Sequence, residues 1–121
     1  MHKIDPIIYS YFNSIRFLRS VQSIVAEVVE VDNVLYDFDE DKAVMTLDYY
    51  INKYDQELER IGQVFSSVHV VKNDKQIYSN KDNNQLKNDL EYIRDCLIVI
   101  AIVRAGIFCS LESALVRLIE E

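Results

Sequence analysis

Between residues 44 and 68 the apolar positions Val44, Leu47, Ile51, Tyr54, Leu58, Ile61, Phe65 and Val68 are spaced alternately three and four apart. That heptad seam predicts a continuous amphipathic helix of about seven turns. Its outer face carries Asp48, Lys53, Asp55, Glu59 and Arg60. A lone amphipathic helix buries nothing, so the seam requires partner helices. The chain supplies them. Ile8, Tyr11, Ile15, Leu18, Gln22, Val25 and Val29 repeat the spacing near the N-terminus, with a second ridge of Ile7, Phe12, Phe17, Val21, Ile24 and Val28 and with Arg16 and Arg19 on the outer flank. Leu86, Leu90, Ile93, Leu97 and Ile100 repeat it again before Arg104, and Leu111, Ala114, Leu115, Leu118 and Ile119 mark a short final helix.

Local signals bound these helices. Asp5 and Pro6 suit a helix start. Asp39 or Asp41 caps the second helix, Asp82 or Asn83 the third and Ser110 the last, while Ala105-Gly106 ends or bends the third. The β-branched run at 28–36 admits two readings. A helix ending near Val31, followed by a loop or short helical turn, is preferred to a hairpin about Asp32-Asn33, because the preceding heptad is unbroken. Gly62 marks either a close helix contact or a weak point. Residues 68–79 read as a small β-hairpin or strand-like loop around Asn73-Asp74. The expected fold is all-α: a single domain over 1–121, an antiparallel bundle of three long helices and a short C-terminal one.

Two glycines and one proline in 121 residues agree with long helices and few tight turns. The net charge of −7 is uneven: residues 27–59 hold eleven acids against Lys42 and Lys53, which leaves the rest of the chain at +2. Such an acidic field repels nucleic acid and lipid phosphate and favours a basic protein partner. The apolar run 96–103 ends at Arg104, less than half the length of a membrane span. No basic-then-apolar leader opens the sequence. A cytoplasmic location without membrane association is expected, and Cys96 and Cys109 read as buried thiols in preference to a disulfide.

No catalytic constellation is visible. His2 and His69 are isolated, and zinc clusters, di-metal Glu-x-x-His pairs and phosphate loops are excluded by count. No Arg precedes a His at the spacing by which some helical bundles cut RNA. Glu27-x-x-Glu30 resembles half of the magnesium-binding motif of helical nucleotide pyrophosphatases, but the second half is missing, and paired acids on a solvated helix face are common. The expectation is therefore no enzyme, no metal and no cofactor, with an acid-based magnesium-dependent nucleotide hydrolase as the weakest alternative.

The aromatic residues carry more information. Tyr36, Phe38, Tyr49, Tyr50 and Tyr54 all lie within the acidic segment. Tyr54 belongs to the seam, Tyr50 is expected half-buried, and Tyr49 is expected to look outward. Tyrosine among acids makes a good recognition surface, since it offers large contact area at low entropic cost. The stretch Asp48-Tyr49-Tyr50 resembles the Tyr-Tyr pair set among acids in small acidic helical inhibitors of nuclease toxins. The likeness covers those three residues alone. The expected site is an acidic edge of Asp37, Asp39, Glu40, Asp41, Asp48, Tyr49 and Asp55, with Asp48 and Asp55 seven apart on one helix face. It implies an immunity- or antitoxin-type inhibitor, or a nucleic-acid mimic, covering a basic partner such as a toxin or nuclease. A self-associating helical adaptor, with a homodimer slightly favoured over a monomer, is the main alternative.

Overall fold

A computed structural model describes residues 6–64, 82–108 and 110–119, with backbone alone for 62–64, 118 and 119. The described chain is all-α: α1 (Pro6–Ile15), a 3₁₀ turn (Arg19–Val21), α2 (Gln22–Tyr36), α3 (Glu40–Lys53), α4 (Asp55–Val64), α5 (Asn83–Arg104) and α6 (Leu111–Ile119). No strand occurs among the described residues. The hairpin expected at 68–79, Asp5, His69 and Cys109 lie outside them.

Helix α5 is the axis of the bundle and packs against every other helix. Its seam residues Leu86, Leu90, Ile93, Leu97 and Ile100 are buried, and the run Cys96–Ile102 is buried throughout. The all-round apolar character of that run is thereby explained, since it has neighbours on several sides. Cys96 is a buried free thiol. No described helix is long and apolar enough to cross a membrane.

The expected caps are in place where they are described. The Asp39 carboxylate accepts from the Asp41 and Lys42 amides at 2.9 and 3.3 Å, Asp82 accepts from the Gln85 amide at 2.8 Å, and Ser110 Oγ accepts from the Ser113 amide at 3.1 Å. Each satisfies an amide that the first helical turn leaves without an internal partner. At the end of α5, Gly106 has φ of +82°. Its amide bonds the Val103 carbonyl while the Ile107 amide reaches back to Ile102. That pair of bonds is a Schellman termination, in which glycine supplies the left-handed residue.

Two long helices predicted from the heptads are broken. The first stops at Ile15, and Leu18 is extended (φ −73°, ψ 135°) before the 3₁₀ turn. Ser14 Oγ donates to the Ser10 carbonyl at 3.1 Å in the last turn of α1, a back-bond that bends helices. The break rephases the chain. Beyond it the second ridge (Val21, Ile24, Val28, then Val31 and Val34) enters the core. Most of the expected seam turns outward, with Leu18 and Val29 about half exposed and Gln22 exposed, while Val25 stays partly buried against the core. The helix that was expected to end near Val31 runs on to Tyr36, because Val31 and Val34 continue that buried ridge.

The second long helix bends at Tyr54 (φ −113°, ψ 33°), which ends α3 and opens α4. Backbone bonds from Tyr54 to Tyr50 and from Leu58 to Tyr54 survive the bend. The described seam therefore stays buried across it, from Leu47 and Ile51 through Tyr54 and Leu58 to Ile61. Helix α4 passes through Gly62 to Val64.

Candidate functional site

Helices α2 and α3 run antiparallel and are laced by two carboxylate–phenol bonds. Tyr50 Oη donates to Glu30 Oε2 at 2.8 Å. Tyr54 Oη donates to Glu27 Oε1, and Lys53 Nζ to Glu27 Oε2, both at 2.5 Å. The spacing fits helix geometry: the acids are three apart and the tyrosines four apart, so each pair occupies one face. Glu27 is buried at 8% exposure, a position a carboxylate holds only when paired and hydrogen-bonded. Both phenols are held protonated well above the ordinary tyrosine range, first by burial and then by the carboxylate each one bonds. Bonding to Glu27 also raises the Lys53 ammonium.

Lys53 is exposed on the outer face as expected, and its ammonium also reaches Glu27 and lies 5.7 Å from the Tyr49 ring centre and 5.5 Å from that of Tyr54. Two sequence expectations change here. Tyr50, expected half-buried, is 1% exposed, because its hydroxyl finds Glu30 and its ring can enter the core. Glu27 and Glu30 were read as a solvated pair or half a magnesium site; Glu30 is exposed but Glu27 is buried, and both bond tyrosines of the segment that follows α2. Among the described residues no group of three His, Cys, Asp or Glu side chains is placed to hold a metal ion.

Of the acids of α2, Glu27 thus turns inward, Glu30 bonds Tyr50 from an exposed position, and Asp32 takes Arg94 of α5 at 3.2 Å. A run of acids is exposed in the α2–α3 turn and at the start of α3. Asp37 follows the end of α2, Asp39 caps α3, and Glu40 and Asp41 stand exposed in its first turn. They cluster at the positive end of the helix dipole. Farther along, Asp48 accepts from the Asn52 amide at 3.2 Å. Tyr49 is 55% exposed and meets the Tyr50 ring edge-on at 4.9 Å. Asp55 lies past the bend, in the first turn of α4.

Of the seven predicted residues, Asp41, Asp48 and Tyr49 form a strip along the outer side of α3, which is about 21 Å long; Asp37, Asp39 and Glu40 cluster at its start, and Asp55 lies half-buried in α4. Asp55 is separated from Asp48 by the bend at Tyr54, so they do not lie on one uninterrupted helix face. Sequence reasoning missed Met45, which is 71% exposed one turn before Tyr49 and between Asp41 and Asp48. Its signal was its position off the buried seam on the same outer stripe as the acids. Tyr36, 94% exposed beside Asp37, extends the apolar component toward the turn. Chemically, the strip offers carboxylates to cations and two exposed apolar side chains to a desolvated contact. Searches against protein-family models, curated proteins and solved structures return no match for this chain.

Proposed function

We propose that the chain is an acidic protein-binding module that covers a basic partner, in the manner of an immunity protein or antitoxin, and that it works without catalysis. The observation that carries this reading is the outer face of α3, where exposed Met45 and Tyr49 stand among Asp41, Asp48 and the acid run that begins the helix. Charge on this strip steers a basic protein and sets the on-rate, while the two apolar side chains supply contact area that excludes water. The inward pairing of Glu27 with Lys53 and Tyr54 supports the same reading. It removes from the surface Glu27, one of the two carboxylates an acid-based hydrolase would need, and directs Lys53 toward it.

Capture from cell extract tests the proposal. The variant Glu40→Lys/Asp41→Lys/Asp48→Lys is expected to keep its helical circular dichroism and lose the captured protein. Tyr49→Ala is expected to speed dissociation, and added salt to weaken capture. Capture that survives both charge reversal and high salt rules out the α3 strip as the binding surface.

A further inference from the structure

Beyond the break at residues 16–18, one face of α2 is exposed and meets no other described helix. Leu18 and Val29 are 45% and 50% exposed, Tyr36 is 94% exposed, and Gln22, Ala26 and Asn33 between them are exposed as well. On α2 itself Gln22, Ala26, Val29, Asn33 and Tyr36 are spaced four, three, four and three apart, and none carries a charge. An uncharged heptad-like stripe over a whole helix is the pattern of a helix–helix seam, whereas solvated faces carry Lys, Glu and Arg. The two ends of this stripe differ in charge. At the N-terminal end lies the exposed turn Arg16-Phe17-Leu18-Arg19, with Phe17 73% exposed. At the C-terminal end, about 22 Å away along α2, lies the acid run Asp37, Asp39, Glu40 and Asp41.

We infer that this face is the interface of a two-fold homodimer in which α2 pairs antiparallel with α2 of a second copy, centred on Val29. Val29 is the middle residue of Gln22–Tyr36, so antiparallel pairing about it sets Gln22 of one copy against Tyr36 of the other. The same register places the Arg16–Arg19 turn of each copy beside the acid run of the other. One contact is thus made twice, as a two-fold interface requires. A parallel pairing would set like charges together at both ends, which costs affinity. The pairing uses α2, so it stands independently of the proposed α3 surface. The two surfaces overlap at the acid run and at Tyr36, for which a basic partner and a second copy would compete.

Sedimentation velocity at micromolar to sub-millimolar protein tests this. The unmodified chain is expected to dimerise, more weakly as salt rises. Val29→Glu sets two like, unpaired charges together at the buried axis, so it is expected to weaken the dimer about a hundredfold or more. Val29 is half exposed, so the helical signal is expected to stay unchanged, and Asn33→Lys is a second probe of the same face. Arg16→Glu/Arg19→Glu and Asp37→Arg/Glu40→Arg are each expected to be monomeric alone, since both contacts become repulsive. Mixed together they are expected to form a heterodimer, since both contacts become attractive again. A monomer at every concentration, a dimer indifferent to Val29→Glu and Asn33→Lys, a mixture that stays monomeric, or species larger than a dimer would each overturn the arrangement.

Discussion

The hydroxyl of Tyr54 donates to Glu27 Oε1 at 2.5 Å, joining a residue that sits in a helix bend to a carboxylate buried on the neighbouring helix. The bend and the bond belong together. Tyr54 leaves helical geometry there with its ring buried at 3% exposure, and its hydroxyl meets a carboxylate that is itself withdrawn from water. Arg104 of α5 lies 5.7 Å from the centre of the same ring, so three helices meet at this residue. Tyr54→Phe removes one hydrogen bond to a buried charge, leaves Lys53 as its partner, and is expected to cost about 1.5–3 kcal/mol. Tyr50→Phe is expected to cost less, about 1 kcal/mol, because Glu30 is exposed and water replaces the lost donor. Urea denaturation of the two variants measures the difference, and equal costs would show that burial of Glu27 has no energetic consequence.

Burial pushes the Asp95 carboxyl up to about 6, against the pull of Arg94 at 3.4 Å. The folded-state value lies above that of the unfolded chain, so the folded state binds the extra proton. The stabilisation is present below about pH 4 and is lost as pH rises through about 6. Asp95→Asn cannot titrate. Relative to the unmodified chain it is expected to gain about 2–3 kcal/mol between pH 4 and pH 7, from about 1.4 kcal/mol per pH unit of separation. Paired denaturation curves at the two pH values check the sign as well as the size.

Leu97 lies at the centre of α5 with no exposed surface, as do Leu86, Leu90, Ile98 and Ile102. Leu97→Ala is expected to cost about 2–5 kcal/mol, the lost transfer energy plus the cavity that surrounding helices cannot close. A loss below half of one kcal/mol, read by thermal or urea unfolding, would remove α5 from the centre of the bundle. Gly106→Ala meets nothing within 4 Å of the added carbon. Its cost is therefore that of the left-handed backbone alone, about 1–2 kcal/mol.

How much was legible in the sequence depended on how local each signal is. Asp39, Asp82 and Ser110 were readable as caps because a cap acts within three residues of itself. The α5 seam was readable because nothing interrupts it. Helix 1 was harder. Its two apolar ridges, one through Ile15 and Leu18 and one through Val21 and Ile24, are equally convincing, and periodicity alone cannot choose which faces the core after a break. The β-branched run at 28–36 looked like a helix end, but Val31 and Val34 pack into the core, and burial overrode their modest helix propensity. Glu27 was unreadable for a different reason. An acid on an amphipathic helix reads as solvated, and the groups that hold it inside, Lys53 and Tyr54, lie 26 and 27 residues away. At the candidate site, outward Tyr49 followed from its position off the seam. Met45 followed from the same rule, but only once the whole outer face of α3 was drawn.

Asp39 belongs both to the acidic strip and to the fold, and this dual role fixes how the strip must be tested. Its carboxylate accepts from two first-turn amides of α3, so replacing it by Lys removes a cap and places a cation at the positive end of the helix dipole. Loss of the cap costs about 0.5–2 kcal/mol, and the misplaced cation adds about 0.3–1 kcal/mol. Asp39→Asn keeps an oxygen acceptor for the amides and removes the charge, so it is expected to cost only a few tenths of a kcal/mol. Glu40 and Asp41 are exposed in the first turn, and reversing them acts through the dipole alone. Urea unfolding is therefore expected to rank Asp39→Lys well below Asp39→Asn, with Glu40→Lys and Asp41→Lys between them. If Asp39→Lys is as stable as Asp39→Asn, the carboxylate is not holding the helix start. Asp39 would then join Glu40 and Asp41 as a purely surface charge in every binding measurement.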